Sequence, residues 1–331
     1  MRFDSWLLRP APAERLAALR ILIGAFVWVY VVANVGEFAR LANQPTSPFE
    51  PVGAVHLWAT PLSAPLVWGL YAALVVFGAG FIGGLWFRYT GIVYAILVLV
   101  WASYHSSWGQ MLHFEHLFTI HVVVLALSPA AATWSIDAGL QREARPQVSV
   151  AFGWPIRLLA IITSITYVIA GIAKIRRSGT AWLDGSTLGN HVAYSATRIE
   201  LLGGFEPPLA LFVVAHSWLL APLAVGALAI ELLAPVALVG GRARNAWVAG
   251  ALLFHLGTAA TMMVWFPYQG LGFAFLPLFF VERLRQPLRK KSSDRGSLQS
   301  LRRLSLPATD AGCGAAQDGL LDAQRPELAY R

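Results

Sequence analysis

Charge is scarce in this chain. Only 13% of the 331 residues are Asp, Glu, Lys or Arg, whereas soluble domains carry about 25%. Hydrophobic residues make up 57% of the sequence. This composition excludes an ordinary soluble domain and is typical of a polytopic membrane protein, so the lipid bilayer is the first expected partner.

Cysteine is nearly absent. The only one is Cys313, which excludes an intrachain disulfide framework and a multi-cysteine metal site. The sequence also lacks a Gly-rich phosphate loop and a nucleophile elbow. The net charge of +8 does not indicate nucleic acid, because 10 of the 25 Lys and Arg residues lie from Arg283 onward. We expect no cleavable signal peptide, since residues 1–15 are polar and contain proline.

Apolar runs predict the fold class: an all-α, polytopic transmembrane helical bundle of about eight spans. The predicted spans are 16–36, 65–87, 89–104, 115–128, 156–175, 207–241, 246–266 and 268–281. The sixth run is too long for one straight helix, so a kink or break is expected near Pro222 and Pro235. Segments 37–64 and 176–206 are predicted loops. Residues 1–282 thus form a transmembrane domain, and the basic segment 283–331 is predicted to be a disordered cytoplasmic tail.

Basic residues are unevenly distributed among the predicted loops. With the N-terminus inside, the inner side collects the basic tail and Arg2, Arg9, Arg15, Arg88, Arg142, Arg145, Arg242 and Arg244. The outer loops keep Arg40, Arg176, Arg177 and Arg198. The positive-inside rule therefore predicts that both termini are cytoplasmic and that Lys174 lies near the outer face.

Lys174 follows an uncharged run, 158–173, at the end of the fifth predicted span. Two interpretations are open. The lysine is either an interfacial anchor that reaches to the headgroups, or a desolvated lysine that acts as a base. The neighbouring Arg176 and Arg177 are already suited to anchoring.

Two further ionisable residues, Glu231 and His255, fall inside predicted spans. Such residues are costly in a membrane and are candidates for function. The two spans are consecutive in sequence, so a contact between these side chains is expected. It would be either a structural hydrogen bond of about 1 kcal/mol or part of a proton-handling site.

Histidines cluster at the start of the fourth predicted span, at His113, His116 and His121. The first two share a helix face. A zinc site needs further ligands, and the His-Glu-x-x-His order is absent, so we predict no metal. For His116 and His121 the open interpretations are proton handling and a polar helix end.

Several short motifs together resemble one known family. They are residues 14–22, His116 to His121, Trp134 to Asp137, Tyr167 to Lys174, and Trp182 to Gly185, with Glu231 and His255. In this order and spacing, over most of residues 14–282, the chain resembles the HTTM proteins, bacterial relatives of the vitamin K-dependent gamma-carboxylase.

The resemblance implies an enzyme of the bacterial cytoplasmic membrane. In the carboxylase, the lysine that Lys174 matches is taken to deprotonate vitamin K hydroquinone. Oxygen then forms an epoxide, and the strong base generated removes a glutamate γ-proton before CO₂ is captured. A reduced naphthoquinone (vitamin K or menaquinol) is the implied cofactor, with Trp182 and Tyr167 as candidate contacts. Two departures are that residues 130–133 lack the family's histidine, and that only the tail from Glu282 follows the core.

Two other functions stay open. One is a non-enzymatic maturation factor that binds a secreted or membrane polypeptide, as in the sporulation-delay toxin maturation proteins that share this core. The other is a proton-coupled transporter that uses Glu231 and His255. Transporters of that kind often contain internal repeats, and none is visible in this sequence.

Overall fold

The computed structural model describes residues 3–45, 49–109, 113–140 and 147–285, and these fold mainly into α-helices. The helices are α1 Phe3–Leu7, α2 Ala13–Ala33, α3 Val35–Ala42, α4 Ala64–Gly83, α5 Phe87–Ser106, α6 His113–Ala126, α7 Ile136–Leu140, α8 Val150–Ser178, α9 Thr180–Leu183, α10 Ser186–Leu201, α11 Ala210–Ala215, α12 Leu220–Leu232, α13 Gly241–Met262 and α14 Pro267–Gly270. Short 3₁₀ helices lie at Gly53–Val55, Ser217–Leu219, Ala234–Val239, Phe273–Leu278 and Val281–Arg285. Two short strands, β1 Ala11–Pro12 and β2 Val148–Ser149, pair antiparallel with Ala11 opposite Ser149.

Four helices are long and apolar enough to cross a membrane: α2, α4, α5 and α8. Helix α6 and the segment Ser217–Leu232 are shorter apolar helices. The structure therefore supports a helical membrane protein, while about eight crossings stays a prediction.

The later apolar runs are less regular than the sequence suggests. The sixth is broken at two places, since α12 begins at Leu220 and ends at Leu232, close to the prolines that predict a break. The eighth is not one helix but α14 followed by a 3₁₀ helix that contains Pro277, which lacks a backbone N–H. The predicted loop 176–206 contains α10, a helix of 16 residues whose mixed polar sequence hides it from a search for apolar runs.

Some predictions fall outside the described residues. The predicted tail 283–331 begins within the 3₁₀ helix Val281–Arg285 and lies outside the described residues from 286 onward. Arg142 and Arg145 lie in the gap at 141–146.

Helix α2 lies at the centre of the core. Its Phe26 ring centroid is 6.3 Å from that of Phe118 and 5.0 Å from that of Tyr268, while the Tyr30 centroid is 5.8 Å from that of Trp101. Tilted aromatic pairs contribute about 0.5–1.5 kcal/mol beyond area burial. Helices in lipid associate largely through such close packing, so this cluster joins α2, α5, α6 and α14.

Helix α8 connects the two ends of the bundle. It begins after Ser149, whose side-chain oxygen accepts a hydrogen bond of 3.2 Å from the Ala151 N–H and so caps the helix. At about 1.5 Å per residue, Arg157 and Lys174 are separated by roughly 26 Å along the axis. A hydrocarbon core is about 30 Å thick, so two residues this far apart fit opposite boundaries of a membrane.

Candidate functional site

An ion pair between Lys174 of α8 and Glu231 of α12 forms the centre of the candidate site. The Glu231 side chain is 3% exposed and that of Lys174 is 24% exposed. Gly171, almost one turn before Lys174, makes this approach possible. A Cβ at that position would lie 3.1 Å from the Glu231 Cβ and 2.9 Å from Cδ2 of Leu232. The two helices therefore meet at a glycine directly beside the ion pair.

Aromatic rings surround the ammonium group. The Lys174 Nζ atom is 5.2 Å from the ring centroid of Trp182 and 6.0 Å from that of Phe254. Ring faces attract cations, most strongly where water is excluded. The Trp182 indole N–H donates to the Ala224 carbonyl at 3.1 Å, which fixes this ring against α12. The ammonium group is thus held by a carboxylate and by two π faces.

A second hydrogen-bonded pair lies nearby, between Tyr167 of α8 and His255 of α13. The Tyr167 hydroxyl is 2.6 Å from Nε2 of His255, and both side chains are buried. Tyr167 precedes Lys174 by seven residues, so both lie on the same face of α8. The charges of Lys174 and Glu231 act on His255 and Tyr167 respectively, so the two pairs are electrostatically linked.

Two buried polar atoms of this site lack a hydrogen-bond partner among the described residues: Oε2 of Glu231 and Nδ1 of His255. Buried polar atoms are usually paired, because leaving one unpaired costs about 1–3 kcal/mol. These two atoms are therefore available to hydrogen-bond a polar group of a ligand.

An apolar cleft of about 540 Å³ lies between α10, α12 and α13. Among its lining side chains are Leu188, Val192, Ile230, Leu253, Phe254 and Met262. Phe254 lines the cleft, and its ring centroid is 6.0 Å from the Lys174 ammonium, so this ring lies between the cleft and the ion pair. Its volume lies within the range of about 300–1,000 Å³ that small-molecule sites occupy.

The structure brings together five of the seven predicted site residues: Lys174, Glu231, His255, Tyr167 and Trp182. The expected contact between Glu231 and His255 is replaced, because each of them binds a partner on α8.

The other two predicted residues lie elsewhere. His116 is exposed at the start of α6, with Nε2 3.4 Å from the Ser106 hydroxyl. His121 is fully buried, with Nδ1 2.7 Å from the Tyr268 hydroxyl and Nε2 3.3 Å from the Thr163 hydroxyl. Their described hydrogen bonds do not lead to Lys174. In the part of the chain that the structure describes, no group of three His, Cys, Asp or Glu side chains is placed to hold a metal ion.

A second polar cluster, which the sequence did not reveal, joins α2, α3, α5 and α6. His105 lies between two carboxylates, with Nε2 3.0 Å from Glu37 and Nδ1 3.0 Å from Glu115. The Tyr30 hydroxyl donates to Glu115 at 2.9 Å. Glu37 also pairs with Arg40, and hydrogen bonding from Arg40 lowers the pKa of Glu37 below its usual value.

Sequence reasoning missed this second cluster for identifiable reasons. Glu37 lies in a predicted loop, and His105 lies just beyond the third predicted span. Glu115 is the first residue of the fourth predicted span. The usable signal was the general rule for ionisable residues near membrane depth, applied to the end of α5 as well as to the span interiors.

The helices and the buried ion pair define a multi-pass helical membrane protein with an ionisable centre between its helices. Residues 8–283 match the HTTM domain. The chain therefore belongs to the HTTM family. Comparison with curated proteins and with solved structures gave no match.

Proposed function

We propose that this protein is a membrane enzyme that uses the Lys174–Glu231 pair as a base in the oxidation of a reduced naphthoquinone. One observation carries the proposal. An ion pair whose buried Glu231 Oε2 has no partner among the described residues lies next to an apolar cleft of ligand size, which Phe254 and the neighbouring Ile230 line. An ion pair that only joined two helices would need neither the unpaired oxygen nor the cleft.

The residues present fit a reduced naphthoquinone. The cleft matches an apolar fused ring or chain, and Glu231 Oε2 is a buried acceptor suited to a hydroxyl donor. When bound, the reduced quinone would supply an acidic hydroxyl and the electrons for reaction with oxygen. Phe254 and Ile230 would line its apolar part, while Trp182 and Tyr167 lie at the polar end of the site.

The ion pair is the proton-holding part of the site. The Lys174 Nζ donates to Oε1 of Glu231, and Oε2 of Glu231, which has no partner among the described residues, is available as a proton acceptor. Keeping two charges desolvated is costly. Transfer of one ammonium proton to the Glu231 carboxylate removes both charges and leaves a neutral amine on Lys174, which is itself a base. Lys174 and Glu231 together thus hold one or two protons at defined atoms.

The residues around the Lys174–Glu231 pair position it and limit its contact with water. If Tyr167 donates to Nε2 of His255, then Nδ1 carries the histidine proton and is a donor that faces no described acceptor. Trp182 and Phe254 flank the ammonium and reduce its contact with water, which leaves the Lys174 side chain 24% exposed. Groups that are already in position, in a site with little water, stabilise a developing charge more than they would in bulk water.

We further propose that both termini are cytoplasmic, that the membrane is the bacterial cytoplasmic membrane and that Lys174 lies toward the outer side. Lys174 and Arg157 lie near opposite ends of α8, and the predicted inner loops hold more arginine than the outer ones. Cysteine-accessibility labelling tests this orientation. A cysteine placed at the exposed Arg177 should react with an impermeant reagent in intact cells, and one at the exposed Arg242 should not.

An epoxide assay tests the proposed chemistry. Purified protein in lipid receives a reduced naphthoquinone and oxygen, and the products are separated by mass. Wild type should form the epoxide, while Lys174→Ala and the volume-conserving Lys174→Met should lose at least about 100-fold in rate. Arg176→Ala, which removes an exposed charge from the same helix end, should retain activity.

Absence of epoxide from folded wild type, or full activity in both Lys174 variants, would contradict the proposal. Recovery of the protein with one stoichiometric polypeptide would then favour the maturation-factor alternative.

A further inference from the structure

A second site lies at the opposite end of the bundle from Lys174, where α2, α8 and α13 begin. A pocket of about 120 Å³ opens there, and one arginine from each helix lines it: Arg15, Arg157 and Arg244. One water needs only about 10–15 Å³ of such volume, so the pocket has room for a group of several atoms.

The positive charge in this pocket is only partly neutralised. Arg15 forms a bidentate pair with Glu282, with distances of 3.0 and 2.8 Å. The acceptors of Arg157 and Arg244 among the described residues are uncharged. Arg157 donates to the carbonyls of Leu7 and Arg9, while Arg244 donates to the Leu278 carbonyl and the Asn245 amide oxygen. Two guanidinium groups therefore keep a net charge that an anion can balance.

A glycine on α8 allows the N-terminal segment to approach Arg157 closely. Gly153 lies one turn before it on α8, and a Cβ there would lie 2.1 Å from the Arg9 carbonyl oxygen and 2.7 Å from Nη1 of Arg157. Only a glycine lets the N-terminal segment come this close. The like charges of Arg9 and Arg15 act on Arg157, so the surrounding field is positive. The N-termini of α2 and α13, whose first turns hold Arg15 and Arg244, add partial positive charge of the same sign.

Aromatic side chains show where the pocket lies relative to lipid. Trp6, Phe279 and Phe280 line it, and the Arg157 guanidinium carbon is 5.8 Å from the Trp6 ring centroid. The corresponding distance from Arg244 to Phe279 is 4.4 Å. Trp and Tyr concentrate at the headgroup level of a membrane, and aromatic rings beside arginine are typical of an interface.

From this geometry we propose that the pocket binds the phosphate group of an anionic phospholipid. Arginine presents a planar fork of donors that matches phosphate oxygens. The aromatic rim at the helix ends matches a headgroup attached to acyl chains, rather than a soluble phosphate. The lipid would tie α2, α8 and α13 together at the end of the molecule farthest from the Lys174 centre.

Native mass spectrometry of the full chain tests the proposal. Protein purified from mixed vesicles of phosphatidylglycerol and phosphatidylcholine should retain phosphatidylglycerol selectively. The double variant Arg157→Gln/Arg244→Gln should bind it about 30-fold more weakly, since each basic residue near an anionic surface contributes about fivefold. The matched pair Arg176→Gln/Arg198→Gln removes the same charge from exposed positions in the predicted outer loops, away from the pocket, and should change binding by less than about twofold.

Three results would overturn the proposal. They are equal retention of both lipids by wild type, equal losses in the two double variants, and displacement of the lipid by millimolar inorganic phosphate, which would indicate a soluble phosphate site. If the first double variant does not fold, Arg244→Gln alone replaces it, with an expected loss of about fivefold.

Discussion

Two polar centres in this molecule contain similar residues and differ in whether all of their buried polar atoms have hydrogen-bond partners. The Lys174–Glu231 centre and the Glu37–His105–Glu115 cluster each place a carboxylate against a basic side chain between helices. In the second cluster both nitrogens of His105 are paired, and Glu115 accepts from His105 and Tyr30. In the first, Oε2 of Glu231 has no partner among the described residues.

The difference indicates different roles. A network with every member paired stabilises one arrangement of α2, α3, α5 and α6. A network that leaves the buried Oε2 of Glu231 unpaired among the described residues keeps that acceptor available to a ligand. We therefore assign the first centre to chemistry and the second to structure.

The largest expected effect follows from removing charge at the first centre. Glu231→Gln should lower the rate of epoxide formation by at least about 100-fold, because the amide cannot accept a proton. Its unfolding free energy should fall by less than that of Glu115→Gln, because the Lys174 side chain is 24% exposed and water can solvate the charge that loses its partner. Rate measurement and thermal unfolding of the same preparation check both parts. A large loss of stability with the rate intact would reverse the assignment of roles.

The matching substitution in the second cluster should act on stability. Glu115 is fully buried, and Glu115→Gln weakens its contacts with His105 and Tyr30. Breaking a buried charged pair in this way costs about 3 kcal/mol of unfolding free energy. Denaturation in detergent measures it. The epoxide rate per folded molecule should stay near that of wild type, and a rate that fell with stability unchanged would argue against a structural role.

A smaller effect is expected from Tyr167→Phe, which removes the hydrogen bond to His255. If this bond only positions the site, kcat should fall about 10-fold while KM is unchanged. Tyr94→Phe is the control, because the Tyr94 hydroxyl is also buried but has no partner among the described residues. Equal losses in both variants would indicate a packing effect.

The smallest effect concerns Glu37, whose pKa is lowered, first by hydrogen bonding from Arg40. A carboxyl with a depressed folded-state pKa stabilises the fold above its unfolded value and loses that contribution as pH falls through the folded value. Glu37→Gln should therefore cost about 1 kcal/mol at pH 7 and progressively less below about pH 4.5. Unfolding across this range, with Glu200→Gln as an exposed control, measures it. A pH-independent difference would exclude this origin.

The sequence predicted the fold class and most of the first centre because both follow from local signals. Long apolar runs mark α2, α4, α5 and α8, and charged residues within such runs stand out. The partner of each residue was harder to predict. Glu231 pairs with Lys174 rather than with His255, because α8, and not the next helix in sequence, packs beside α12 at Gly171.

The second cluster and α10 illustrate what local signals miss. His105, Glu37 and Glu115 come from separate segments and meet only when the bundle packs. Helix α10 has a mixed polar sequence and contributes Leu188 and Val192 to the cleft, so the cleft could not be foreseen from apolar runs. Tertiary packing brings these features together, and it has no periodic signature in one sequence.

The central claim is that Lys174 and Glu231 act as one proton-holding unit. A double-mutant cycle with Lys174→Met, Glu231→Gln and the combined variant, measured by epoxide formation, tests it most directly. Residues that act as a unit are strongly non-additive, so the combined variant should be no slower than the slower single variant. Losses that multiply, or a Lys174→Met enzyme as fast as wild type, would contradict the account.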